Sequence, residues 1–305
     1  MSKRFDLTPD PGAGDSTLHV VYHGRVDGGP AFKIGTSVKY DEPSGTRLVG
    51  LVNEDPAAGV LYSAEDYEPE FGFWARAIEP TVWAEGRIFH TLNRYDLGYF
   101  TFGFIQFAVH ASDFRTWLRQ LLALPNASDF FPDLSLKDGR IYSGVTNLET
   151  GPQGEERSSD PLVHYFNPSL ASVDHSEVLN AARLVFWTNS DPAVRRLQVE
   201  VGVQLFQRYI NTANTLGLPI QGKPDIICAA VCDVMHEHGE RSRTAQLRAA
   251  ISSPDPMPQL YRIMGDYDPE RPNRFKARVE QLQAAGVFGG RRWNVAANNF
   301  ETIAA

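Results

Sequence analysis

The stretch Trp83-Ala-Glu-Gly-Arg-Ile-Phe-His-Thr-Leu-Asn-Arg-Tyr-Asp-Leu-Gly-Tyr-Phe-Thr-Phe-Gly-Phe-Ile-Gln-Phe107 carries two carboxylates in two different local settings. Pro80 suits the first turn of a helix and Gly86 its end, so Glu85 closes that helix. Eleven residues later Asp96 opens an aromatic, β-prone run that contains Gly98, Thr101 and Gly103 and reads as a hairpin. The first carboxylate is expected against an apolar wall made by Trp83 and Phe89. The second, with the Thr101 hydroxyl, is expected on a hydrated turn across from it. Burial raises one pKa and hydration keeps the other group ionised, which separates a general acid from a general base. Cleavage of a glycosidic bond uses such a pair. The same residues admit a structural reading, in which Glu85 is a surface acid at a helix end and Asp96 a turn residue.

Before this stretch the chain is β-prone. Leu18–Tyr22 and Ala31–Gly35 are strand-like runs bounded by Asp27-Gly-Gly-Pro30 and Asp41-Glu-Pro-Ser-Gly45. After it, Asp113–Leu124 has a helical stripe of Phe114, Trp117, Leu118, Leu121 and Leu122. Residues 149–160 are linker-like, and helices follow over Ser176–Thr188, from Asp191-Pro192 to about Asn214, over Pro224–His238 and over Arg271–Ala285. Arg291-Arg-Trp293 reads as a surface turn. The expected division is a β-rich segment over 1–70 followed by one domain over 71–305. The expected class is mainly α, of the α+β kind.

Composition excludes several functions. The chain of 305 residues is 42% hydrophobic, too apolar for disorder. Its net charge of −8 leaves no basic footprint for nucleic acid. No window is long and apolar enough for a membrane span, and no apolar run follows the first basic residues as in a signal peptide. The chain is thus expected to be made in the cytoplasm and to reach a cell wall or external glycan by another export route. Cys228, Cys232 and His236 recur at helical spacing; they suit packing on one face, or a metal site lacking a fourth ligand. No metal or cofactor is expected.

Glu85-Gly86 followed by Asp96, Gly98, Tyr99, Thr101 and Gly103 resembles the active-site stretch of phage-type lysozymes. The same hairpin resembles that of chitosanases in the same superfamily, with Asp96, Thr101 and Gly103-Phe-Ile-Gln-Phe107 in register. Asp191-Pro-Ala-Val-Arg195 with Gln198, then Ala213-Asn-Thr-Leu-Gly-Leu218, then Ala230 to Gly239 around Asp233 and His238, are similar to three further chitosanase motifs in the same order. The matches span about residues 79–240 and leave 1–70 outside. The resemblance implies a two-lobed lysozyme-like fold with a small β-hairpin at the active site. It also implies inverting, endo-acting hydrolysis of a β-1,4-linked amino-sugar polymer: peptidoglycan first, as for wall-degrading antibacterial proteins with export or immunity partners, and chitosan second. A non-catalytic glycan-binding or structural protein with this fold is the third reading. Glu85 is then the acid, with Asp96 and Thr101 holding the attacking water. The chitosanase spacing offers Glu79, seventeen residues before Asp96, as an alternative acid. Tyr95, Tyr99, Gln106 and His110 are candidates for binding the polymer. Asp233 is expected in a structural network with Arg195.

Overall fold

The structure is a computed structural model and describes residues 2–10, 19–41, 47–93, 99–150, 160–169 and 171–303. With 47% helix and 20% strand it is an α+β protein. In chain order come β1 (Phe5–Asp10), β2 (Val21–Val26), β3 (Phe32–Asp41), β4 (Arg47–Asn53), α1 (Ala64–Phe71), α2 (Phe73–Ala77) and α3 (Glu79–Ala84). Next are β5 (Leu92–Asn93), β6 (Thr101–Phe102), β7 (Phe107–Ala108), α4 (Ser112–Leu122), α5 (Ala127–Phe130), β8 (Leu134–Lys137), β9 (Arg140–Ser143) and β10 (Thr146–Asn147). The helices α6 (Pro161–Phe166), α7 (His175–Ser190), α8 (Pro192–Thr215) and α9 (Asp225–His238) follow. Then come α10 (Thr244–Ser252), α11 (Met257–Met264), α12 (Arg271–Ala284), β11 (Arg291–Asn294) and β12 (Asn299–Thr302).

The chain parts into two compact units, one of residues 1–62 with 88–201 and one of 63–87 with 202–305. The division expected at residue 70 is therefore corrected. The first four strands are not a separate addition, because β4 pairs with β5, Val52 opposite Asn93, and one antiparallel sheet runs in order from β1 to β7. A strand as short as β5 has little stability alone, and a partner forty residues away leaves no local trace. The helices α7 and α9 fall in different units.

In the first unit α7 packs on β1 and β3. Phe186 of α7 lies 5.4 Å from the Phe32 ring and 6.2 Å from Phe5. The helix starts cleanly because Asp174 and Glu177 form a reciprocal capping box. Four residues of the expected α4 stripe are buried and the fifth, Leu122, is half-buried; Trp117 stacks on Phe102 at 5.6 Å. The stretch expected as a hairpin is one: β6 pairs with β7, Phe102 opposite Phe107. Most of the linker-like stretch, 151–159, lies outside the described residues.

In the second unit α3 packs on α12 and on α9, and α11 packs on α9 and α12. The pair β11–β12 closes it. Trp293 is not on a surface turn as expected: it sits on β11, 2% exposed, with its ring centroid 5.8 Å from Trp74 and 5.2 Å from Phe300. The two arginines before it suggest surface, but alternation along the strand puts Trp293 on the face opposite the exposed Arg292. Both cysteines are buried, and no cluster of three metal-ligating side chains exists among the described residues. Among the described residues no helix is long and apolar enough to cross a membrane.

Candidate active site

Glu85 sits where the sequence puts it, as the residue that caps the C-terminus of α3, before Gly86 at φ +89°. Arg87 continues the turn in the left-handed region at φ +56°. The environment differs from the expected apolar wall. The Glu85 side chain is 11% exposed, and its Oε1 accepts from Arg271 Nη1 at 2.6 Å, with His236 Nε2 3.6 Å away. Burial alone raises this carboxyl; Arg271 overrides it, helped by His236 and Arg274, and the pKa lies below the ordinary carboxylate value. The expected raised pKa is thereby corrected.

Arg271 is the hub. It opens α12, is 3% exposed, and meets carboxylates from two other elements. Its Nε and Nη2 fork onto Asp233 at 3.0 and 2.9 Å, and its Nη1 also reaches Glu237 Oε2 at 3.0 Å. Asp233 and Glu237 lie one helical turn apart on α9 and so share a face. His236, on the same helix, turns Nδ1 toward the Tyr209 hydroxyl at 3.3 Å. It thus belongs to this cluster and not to the cysteines. Asp233 pairs with Arg271 and not, as expected, with Arg195, which donates to the Thr188 and Asn189 carbonyls at the end of α7.

The alternative acid, Glu79, occupies a second cluster. It starts α3, is 3% exposed, and is held between Arg278 and Arg76, the latter at 3.7 Å. Arg278 also stacks over the Trp83 ring, at 4.2 Å from its centroid. Arg87 stacks on that ring at 4.1 Å. Among the described residues Arg87 has no carboxylate partner, unlike Arg76, Arg271, Arg274 and Arg278 around it.

Thr101, Tyr99, Gln106 and His110 belong to the first unit. Asp96 and Tyr95 lie outside the described residues. Thr101 is 4% exposed and its hydroxyl donates to the Asn93 carbonyl at 2.8 Å, which leaves its lone pairs as the free hydrogen-bonding capacity. Tyr99, Gln106 and His110 are half-buried, the first two at φ +60° and +53°. Gln198 of α8 fixes the hairpin: its Nε2 donates to the Phe89 carbonyl at 3.1 Å and its Oε1 accepts from the Phe104 N–H at 3.3 Å. Gly103, at φ +97°, lies so close that a Cβ there would stand 2.7 Å from Gln198 Oε1.

Sequence reasoning missed Arg271, Glu237 and Arg278. One signal was present: the apolar helix α9 carries two acids on one face, which requires a cation. Which arginine supplies it, thirty-eight residues from Asp233, is set only by the packing of α12. Comparison of the chain with protein-family models, with curated proteins and with solved structures finds no match.

Proposed function

We propose that the protein is an inverting, endo-acting glycoside hydrolase of lysozyme-like fold that cleaves β-1,4 bonds of peptidoglycan. Glu85 delivers the proton to the glycosidic oxygen; Asp96 takes one from the attacking water, which the Thr101 lone pairs orient. The observation that carries the reading is the Glu85 setting. A carboxylate at a helix end, nearly buried and held at 2.6 Å by a buried guanidinium, is fixed in one orientation, as a group that must meet one atom of a substrate has to be. Perturbed, charge-coupled carboxyls of this kind concentrate at functional sites. Glu79, locked between two arginines, fits a structural role better. Tyr99, Gln106 and His110 keep partial exposure for polymer contacts.

Arg87 supports peptidoglycan over chitosan. Its guanidinium is pre-positioned on Trp83, two residues after Glu85, and among the described residues meets no carboxylate. Such a group suits the carboxylates of a wall polymer and repels the ammonium groups of chitosan. The net charge of −8 favours the polycation and is the basis of the second reading, a chitosanase. Wall action fits an exported antibacterial protein. The test is turbidity loss and reducing-end release from purified cell walls, run beside reducing-end release from chitosan. Release from walls alone is expected. Release from chitosan alone moves the assignment to chitosanase, and release from neither leaves a non-catalytic glycan-binding or structural protein.

A further inference from the structure

Arg271 serves three carboxylates with one charge. Asp233 takes the two-pronged fork, the strongest geometry a guanidinium offers. The remaining nitrogen, Nη1, is divided between Glu85 at 2.6 Å and Glu237 at 3.0 Å. The groups facing Glu237 are Arg271 and Asp268 from α12 and the turn before it, Glu85 from the end of α3, and Asp233 on α9 itself, with His236 against Glu85. Arg274 bridges Asp268 and donates to the Ala84 carbonyl, and its pull on Glu85 is weaker than that of Arg271. Three carboxylates crowd one guanidinium here, and a proton on one of them lessens their mutual repulsion.

We propose that Glu237 is the proton reservoir of this site, holding beside Arg271 Nη1 the proton that Glu85 delivers to the leaving sugar oxygen. This rests on the hydrolase reading above. Burial pushes the Glu237 carboxyl up, Arg271 opposes it, and Glu85, Asp233 and Asp268 add to the rise, to about 7. The exchange is balanced. The Glu237 O–H bond breaks, directly or through one water, and an O–H bond forms on Glu85. Glu237, now anionic, takes over the Nη1 hydrogen bond that Glu85 gives up, so the charge of the cluster is unchanged. The Glu237 side chain is 20% exposed, against 11% for Glu85 and none for Asp233, and so is the member best placed to reload from solvent. A resting Glu85 that Arg271 keeps ionised can therefore still act as an acid. Glu237 is a positioning residue here, since it acts through Glu85.

Two measurements on the full chain test this. The first needs no activity: a carbon-13 NMR titration of the side-chain carboxyls. Glu237 is expected to titrate near neutrality, and Glu85→Gln, which removes one neighbouring charge, is expected to lower that midpoint. A Glu237 midpoint in the ordinary glutamate range overturns the proposal, whether or not the protein cleaves walls. The second is the pH profile of kcat on purified walls. Glu237→Gln keeps the shape but carries no proton, so kcat above pH 6 is expected to fall roughly tenfold or more, with the alkaline limb displaced to lower pH and KM little changed. Glu237→Asp is expected to recover part of the rate. A wild-type profile in Glu237→Gln overturns the reservoir while leaving the hydrolase reading intact. Full wall hydrolysis by Glu85→Gln overturns both.

Discussion

Replacing Arg271 by Ala removes the one cation shared by Asp233, Glu85 and Glu237. The three carboxylates do not count equally. Glu85 and Glu237 have side chains 11% and 20% exposed and can recover water once the guanidinium is gone, whereas Asp233 has none. One uncompensated buried charge is therefore left, not three. Removing one partner of a buried pair costs about 3–5 kcal/mol for that reason. Urea unfolding followed by circular dichroism at pH 7 should show this loss, with Tm lower by on the order of 10 °C. Arg271→Met combined with Asp233→Leu should recover most of it, because an apolar pair of similar volume needs no counter-charge. A loss below about 1 kcal/mol, or no recovery in the double variant, would refute the reasoning that Asp233 and Arg271 form an interdependent buried pair.

Gly103→Ala should destabilise the first unit by roughly 1–3 kcal/mol, since it adds a Cβ 2.7 Å from Gln198 Oε1 at a left-handed φ of +97°; urea unfolding reads it, and a neutral result contradicts the clamp. Trp293→Ala should cost about 3–5 kcal/mol, because it empties a site packed by Trp74 and Phe300, and a loss under about 1 kcal/mol would return Trp293 to the surface. Stability should also depend on pH with two opposite signs. The native state keeps the Glu237 proton to about 7 while an unfolded glutamate loses it near ~4.3, so this contribution declines as pH rises between those values, by up to about 4 kcal/mol. The Glu85 contribution is present above ~4.3 and is lost as pH falls through its lowered native value. Glu237→Gln should remove the first slope and leave the second.

What was legible in the sequence was local. Helix ends marked by Asp191-Pro192 and Gly86 lie where capping chemistry puts them, and the stripe of α4 is buried apart from the half-buried Leu122. Glu85 at the end of α3 and the β6–β7 hairpin follow from the same kind of signal. The non-local half was hidden. The pairing of β4 with β5 joins residues forty apart and merges the N-terminal strands with the hairpin, and neither segment's composition announces it. The Glu85 pKa was misread for the same reason: Trp83 and Phe89 are its neighbours in sequence, while Arg271 is its neighbour in space. Trp293 was misread because a four-residue strand that opens with two arginines looks like a turn until its partner strand is known.

The most direct test of the central claim compares reducing-end release from purified peptidoglycan by the wild-type protein, Glu85→Gln and Glu79→Gln. Gln at either position preserves size and hydrogen-bonding shape, so folding, checked by circular dichroism, stays intact. The account predicts release by the wild type, release by Glu79→Gln at a rate within a few-fold of it, and a fall of about a hundredfold or more for Glu85→Gln. Equal release by Glu85→Gln and the wild type, or loss confined to Glu79→Gln, would contradict it.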